Sequence, residues 1–187
     1  MVFSDEKRFL IYGDGPLRVW RRRGQRLLAN YVSPRTQSRA GIMCWMALKK
    51  DGSSLLIRCP NSLDSAEYQA TVLTPALSFI RGPGLLFQQD NAPPHVSRST
   101  IRWFAAKKVR LLQDWPACSP DLNVVEHAWA WITSQLIGQT FPNADALWAA
   151  VQAAWAAVPP AFVHKLWDSI PRRIEAVRRA QGGATRY

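Results

Sequence analysis

Polar and apolar positions alternate with period two over "VFSDEKRFLIY", residues 2–12, so that Phe3, Asp5, Lys7, Phe9 and Ile11 share one face. The "GDGP" that follows is a turn signal, and the stretch reads as the first strand of a hairpin. "LRVWRRR" fits the returning strand, "GIMCWMALKK" a third and "SSLLIRC", after the Asp51-Gly52 turn, a fourth. Four antiparallel strands are therefore expected to open the chain.

From Asp64 to Ile80 the pattern turns helical, with Asp64 as N-cap and Glu67 completing a capping-box signal, and Pro75 is expected to kink or shorten the helix. After "RGPG", the run "LLFQQD" is too short for a helix and reads as a buried strand ending at Asp90. "SRSTIRWFAAKK" is helical, "VRLLQ" is a further strand, and "DWPACSPDLN" is a proline-containing loop. The rest is helical. Val125, Ala128, Trp129, Ile132 and Leu136 recur at helical spacing up to a stop at Gly138, and "NADALWAAVQAAWAAV" repeats the pattern up to Pro159-Pro160. "AFVHKLWDSI" and "RRIEAVRRA" close the chain.

Strands first, then strand, helix, strand and closing helices predict an α/β fold: a mixed sheet flanked by helices in three layers, with additional C-terminal helices. No repeat or linker divides residues 1–187, so one domain is expected. In such sheets ligands gather outside the strand ends, which is where Asp90 falls.

Composition sharpens the picture. The chain carries 24 Lys plus Arg against 13 Asp plus Glu, a formal charge of +11, which favours a polyanionic partner such as nucleic acid over a merely solubilising surface. A hydrophobic fraction of 48% with nine tryptophans argues for a packed core, and Trp129, Trp131, Trp148, Trp155 and Trp167 recur at helical spacing as packing residues. No run reaches the ~18 apolar residues of a membrane span, and the first fifteen residues lack a signal peptide's apolar core, so a soluble intracellular protein is expected. Cys44, Cys59 and Cys118 form no CxxC pair and read as reduced core or loop residues.

Three acids stand out: Asp5 on the first strand, Asp90 at the end of "LLFQQD", and Glu126 near the start of a helix. Each also has a plain reading, as an exposed strand residue, a turn acceptor before Pro93, and the reciprocal partner of Asn123. If they converge, their oxygens suit two hard divalent cations, Mg²⁺ or Mn²⁺, at roughly 4 Å separation, an arrangement that serves in-line displacement at phosphorus. Spacing does not by itself establish convergence. His95, His127 and His164 lack zinc-ligand spacing and read as isolated core or surface residues, and no GxSxG, P-loop or GxGxxG is present.

"VFSDEKRF", "FQQDNAPPH" with its Asp-Asn-x-Pro-x-His pattern, "DWPACSPDLNVVEHAW" and "VHKLWDSIPRRIEAV" resemble, in order and across the chain, the catalytic domain of Tc1/mariner-type DNA transposases, closest to the Tc1 branch. The resemblance implies an RNase H-like fold, with Asp5, Asp90 and Glu126 as the Asp, Asp and Glu that bind two Mg²⁺. It implies cut-and-paste transposition in the nucleus: cleavage at transposon ends, then attack of the freed 3′ hydroxyl on a TA-containing target, by a homo-oligomer.

Departures accompany it. The 35 residues between Asp90 and Glu126 are one more than is usual, with Gln113 the extra one; Val124 replaces the family's proline in "SPDLNP"; and "SRAGIMCW" replaces a glycine-rich run. The chain starts four residues before Asp5, so a catalytic domain alone is expected, without the family's N-terminal helix-turn-helix modules. That leaves two further readings: an inactive or domesticated remnant acting as a basic nucleic-acid-binding module, and a stand-alone nuclease of the same broad fold. Arg21, Arg22, Arg23, Arg172, Arg173, Arg178 and Arg179 are the candidate phosphate contacts, each readable also as solvated charge.

Overall fold

The computed structural model describes residues 1–12, 40–117, 119–183 and 185–187. Strand β1 (Val2–Leu10) pairs antiparallel with β2 (Gly41–Lys49), which pairs antiparallel with β3 (Ser54–Cys59). On its other edge β1 pairs in parallel with the short β4 (Phe87–Gln88), so among the described residues the strand order is β3-β2-β1-β4. "VRLLQ" contributes less than a full strand: Leu111 forms a single parallel bridge to Phe87, flanked by bonds from Phe87 N to Arg110 O and from Leu112 N to Phe87 O, both 2.8 Å. The expected strand "LRVWRRR", together with Arg21, Arg22 and Arg23, lies outside the described residues, as does Cys118.

After β3 the chain turns helical at α1 (Ser65–Glu67), where the expected capping box forms: Asp64 Oδ1 accepts from the Ala66 and Glu67 N–H groups, and Asp64 N–H donates to Glu67. Pro75 neither ends nor shortens this segment. The backbone widens into a π-helical stretch, Tyr68–Leu73, and resumes as α2 (Thr74–Ile80). Pro75 thus falls in the first turn of the resumed helix, where its missing N–H costs little.

The sheet lies between two apolar layers. Phe3 and Phe9 of β1 and Ile42, Cys44, Met46 and Leu48 of β2 face α5 (Val125–Leu136), α6 (Ala144–Ala156) and α7 (Pro160–Arg179). On the other face Val2, Trp45 and Ala47 pack with the π-helical stretch, α2 and α4 (Arg98–Ala106). The three-layer expectation from period-two strands and 3.6-period helices is met. Trp129 is buried edge-on to Phe9 at 5.8 Å, and Trp131 and Trp155 each also donate an indole hydrogen bond.

α7 joins into one helix the two stretches that Pro171 divides in sequence. An interior proline costs about 3 kcal/mol, and burial of Val163, Leu166 and Trp167 before it offsets that cost, while Arg173 after it is held by bonds to Ser169 and Asp121. Val124, which stands at the usual proline position, is fully buried in the core, so its side chain replaces backbone preorganisation with packing.

Among the described residues Gly41 is the glycine that strand pairing requires, because a methyl group there would run into the Phe9 carbonyl oxygen across the β1–β2 ladder. Gly41→Ala is expected to lower stability by about 1–3 kcal/mol in urea unfolding. An unchanged midpoint would show that β2 does not approach β1 this closely.

Candidate active site

Two residues of parallel register decide where the first two acids lie. Val2 stands opposite Phe87 and Phe3 opposite Gln88, and beyond these pairs both chains run on into the cleft that Asp5 and Asp90 line. Ser4 holds this register: its N–H donates to Gln88 Oε1 at 3.2 Å and its hydroxyl to the Gln88 carbonyl at 2.8 Å. The Ser4 carbonyl accepts from Asn123 Nδ2 at 3.1 Å, and Asn123 Oδ1 accepts from the Val125 N–H, fastening the start of α5 to β1. Glu126 follows in the first turn of α5. Asp5, Asp90 and Glu126 accordingly line a single cleft of about 320 Å³, together with Asn91, Trp115 and Asn123.

The plain readings of the three acids resolve differently. Asp5 is not an exposed strand residue, since Trp129 Nε1 donates to its Oδ2 at 3.0 Å and most of the group is covered. Asp90 does accept the turn N–H of Ala92 at 3.0 Å, while also facing the cleft. The Asn123 side chain is engaged by Ser4 and Val125, and the Glu126 side chain lines the cleft.

The two aspartates sit in opposite electrostatic situations. Burial, then the charges of Glu126 and Glu6, push the Asp5 carboxyl up to about 8 against the Trp129 hydrogen bond. Asp90 is held below the ordinary carboxylate range by its 2.5 Å bond to His95 Nδ1 and by the Ala92 N–H. His95, in α3 (Pro93–Val96), is only 4% exposed. Burial works against its charge, yet Asp90 and Glu6 outweigh it and bring the imidazole up to about 10. Glu6 Oε1 lies 3.3 Å from Nε2, at ion-pair distance but outside directed hydrogen-bond geometry.

His95 is therefore not an isolated core or surface residue but part of the site's support, as is Glu6. A signal existed: an imidazole five residues after Asp90, across a Pro-Pro turn. Glu6 had none, because its partner is remote in sequence. His127 meets Arg173, where burial and that guanidinium hold its pKa down, and His164 lines a separate surface recess. Cys44 and Cys59 are free and buried, which pushes both thiols up to about 12.

Arg173 corrects an expectation. It is 1% exposed and donates to Ser169 Oγ and the Asp121 carbonyl, so its guanidinium is not open to a phosphate. Arg172, Arg178 and Arg179 are exposed, the last two beside Glu175.

Before the proline loop, Gln113 and Asp114 offer a place where an extra residue could be taken up. Both are exposed, and Asp114 adopts φ +57°. On either side the chain is held: Leu112 N bonds Phe87 O, the Trp115 carbonyl accepts from Asn91 Nδ2 at 2.9 Å, and the Trp115 indole lies 6.0 Å from the Phe3 ring. Glu126 remains in the cleft.

An all-oxygen donor set, crowded enough to raise Asp5, suits a hard divalent cation. Among the described residues no group of three or more His, Cys, Asp or Glu side chains is already placed to hold a metal ion, so the three acids share a cleft without forming a ready-made ion site.

Comparison with known proteins gives the class first. Residues 1–148 match the DDE superfamily endonuclease family. The fold is that of the catalytic domain of Mos1 mariner transposase, with a TM-score of 0.72 at 19% identity over 98% of this chain and 83% of that one. The chain also superposes on the Mos1 paired end complex with Mn, with a TM-score of 0.80 at 22% identity, covering 98% of this chain and 56% of that one. It is 38% identical, over 191 aligned residues, to the Tc1 transposase of Caenorhabditis elegans, covering all of this chain and 70% of that protein. The chain belongs to the DDE superfamily endonucleases, as an RNase H-like transposase catalytic domain of Tc1/mariner type.

Because folded Asp5 keeps its proton to higher pH than the unfolded chain does, its burial costs stability as pH rises from 3.8 through about 8. Asp5→Asn removes that cost. The melting temperature of the metal-free variant is expected to exceed wild type by a margin that widens over this range, each 1 kcal/mol being worth about 2–4 °C. A margin independent of pH would contradict the burial argument.

Proposed function

We propose that this chain is the metal-dependent catalytic domain of a cut-and-paste transposase, which cleaves DNA strands at transposon ends and joins the freed 3′ hydroxyls to TA-containing target DNA. The observation that carries this reading is the convergence of Asp5, Asp90 and Glu126 on one cleft from three separate elements. Relatedness to the Tc1 transposase and the likeness to a Mos1 complex containing Mn support it. The paired end complex of Mos1 further supports action as an oligomer on paired ends.

Asp5, Asp90 and Glu126 would hold two Mg²⁺, for which Mn²⁺ can substitute, and the ions would supply charge stabilisation at phosphorus and an activated attacking oxygen. The protein's own contribution is placement. Trp129 fixes Asp5 Oδ2, the Ala92 N–H and His95 fix Asp90 Oδ1, and the Asn123–Ser4 bond fixes the start of the helix carrying Glu126. The burial and charge crowding that raise the Asp5 carboxyl to about 8 favour a proton there, and a cation held by Asp5 would take its place. Exposed Arg172, Arg178 and Arg179 on α7 would meet DNA phosphates.

With Mn²⁺ the protein is expected to nick supercoiled plasmid, and Asp90→Asn and Glu126→Gln each to reduce nicking by about 100-fold or more. Nicking that persists in both variants would dismiss the assignment of these acids. For the DNA footprint, the double substitution Arg172→Glu, Arg179→Glu is expected to flatten the salt dependence of DNA affinity by about one unit of slope per lost phosphate contact. An unchanged slope would remove α7 from the footprint.

A further inference from the structure

We propose that His95 is the positioning residue of Asp90: it clamps carboxylate Oδ1 from behind, with Glu6 steadying the far ring nitrogen, and so leaves Oδ2 to ligate a divalent cation in the cleft. The inference rests on reading Asp90 as a cation ligand. Both hydrogen bonds described for the Asp90 carboxylate, from His95 Nδ1 and from the Ala92 N–H, fall on Oδ1. Neither His95 nor Glu6 lines the cleft, so the clamp acts through Asp90 rather than on a substrate.

Everything around the ring restricts it. Its face lies against Tyr68 with centroids 4.4 Å apart, and the Tyr68 hydroxyl donates to Gln89 Oε1 at 2.9 Å. Gln89 Nε2 donates in turn to the His95 carbonyl at 3.1 Å, which locks the residue before Asp90 to the backbone of its clamp. The Pro93-Pro94 turn brings the imidazole back over Asp90, and Thr100 Oγ1 holds the Pro94 carbonyl at 2.7 Å from the first turn of α4.

β1 supplies both sides of the device. Successive residues of a strand point to opposite faces, so Asp5 goes to the cleft and the Trp129 side while Glu6 goes to His95 behind it. A carboxylate facing each ring nitrogen leaves the imidazole nothing to accept from on either side, which commits Nδ1–H to Asp90. Outer partners of this kind are worth about 10–100-fold in metal affinity.

Two near-isosteres separate positioning from core packing. The Asn side-chain amide donates from near the Nδ1 position, whereas that of Gln donates from near the Nε2 position. Calorimetric titration of the purified chain with Mn²⁺ alone is expected to give His95→Asn an affinity close to wild type and His95→Gln an affinity about 10–100-fold weaker. Melting temperatures, measured alongside, should not track this order.

Equal affinities for His95→Gln and wild type would overturn the proposal, and so would equal losses in both variants at equal melting temperature. Asp90→Asn is the control on the reading beneath it. If Asp90→Asn binds Mn²⁺ as wild type does, Asp90 is not a ligand and the metal reading itself fails. If Asp90→Asn loses binding while His95→Gln retains it, only the clamp fails.

Discussion

One buried serine holds this site together. Ser4 spends its N–H and hydroxyl on Gln88 and its carbonyl on Asn123, and these three residues precede Asp5, Asp90 and Glu126 by one, two and three positions. All three are nearly or fully buried. Each bond contributes only about 1 kcal/mol net, but a buried polar group left unpaired costs about 1–3 kcal/mol. The bonds therefore form together, and the segments they join lie 84 and 119 residues apart. The cleft is assembled by the polar interior of the sheet and not by the loops around it.

With position settled this way, charge differentiates residues of the same type. Asp5 is pressed upward by burial and by two neighbouring acids, and Asp90, two residues past the adjacent strand, is relieved by an imidazole and a backbone N–H. The contacts that favour the Asp5 carboxylate, an indole N–H and a backbone hydrogen bond, do not outweigh burial and the two acids. A positive charge placed in the cleft would relieve that crowding.

Elements set by local periodicity were legible in the sequence: β1, β2, β3, the Asp64 capping box, α5 and α6 all follow from patterns a few residues long. The prolines were only partly legible because their cost is local while the compensation is not. Pro75 is accommodated by a π-helical stretch, and Pro171 by packing before it and the bonds of Arg173 after it. "VRLLQ" reads as a strand by composition but among the described residues bridges only to Phe87. The three acids that line the cleft could be named in advance, and of their supports only His95, five residues after Asp90, left a signal; Ser4 and Glu6 look ordinary until a partner tens of residues away gives them a role. Arg173 shows the reverse error, a cation in a basic run that folding turns inward to hold Asp121 and Ser169.

The added residue between Asp90 and Glu126 follows the same logic. Chain length between two functional side chains matters only where the intervening segment is the ruler. Here it is not, because Leu112 is fixed to Phe87, Trp115 to Asn91, and Asn123 to Ser4. Slack between the first two anchors would fall on exposed Gln113 and Asp114, where the left-handed Asp114 backbone costs about 1 kcal/mol. Glu126 follows from what Asn123 bonds, so a change of length upstream of Trp115 would be expected to move the loop surface before it moved the carboxylate.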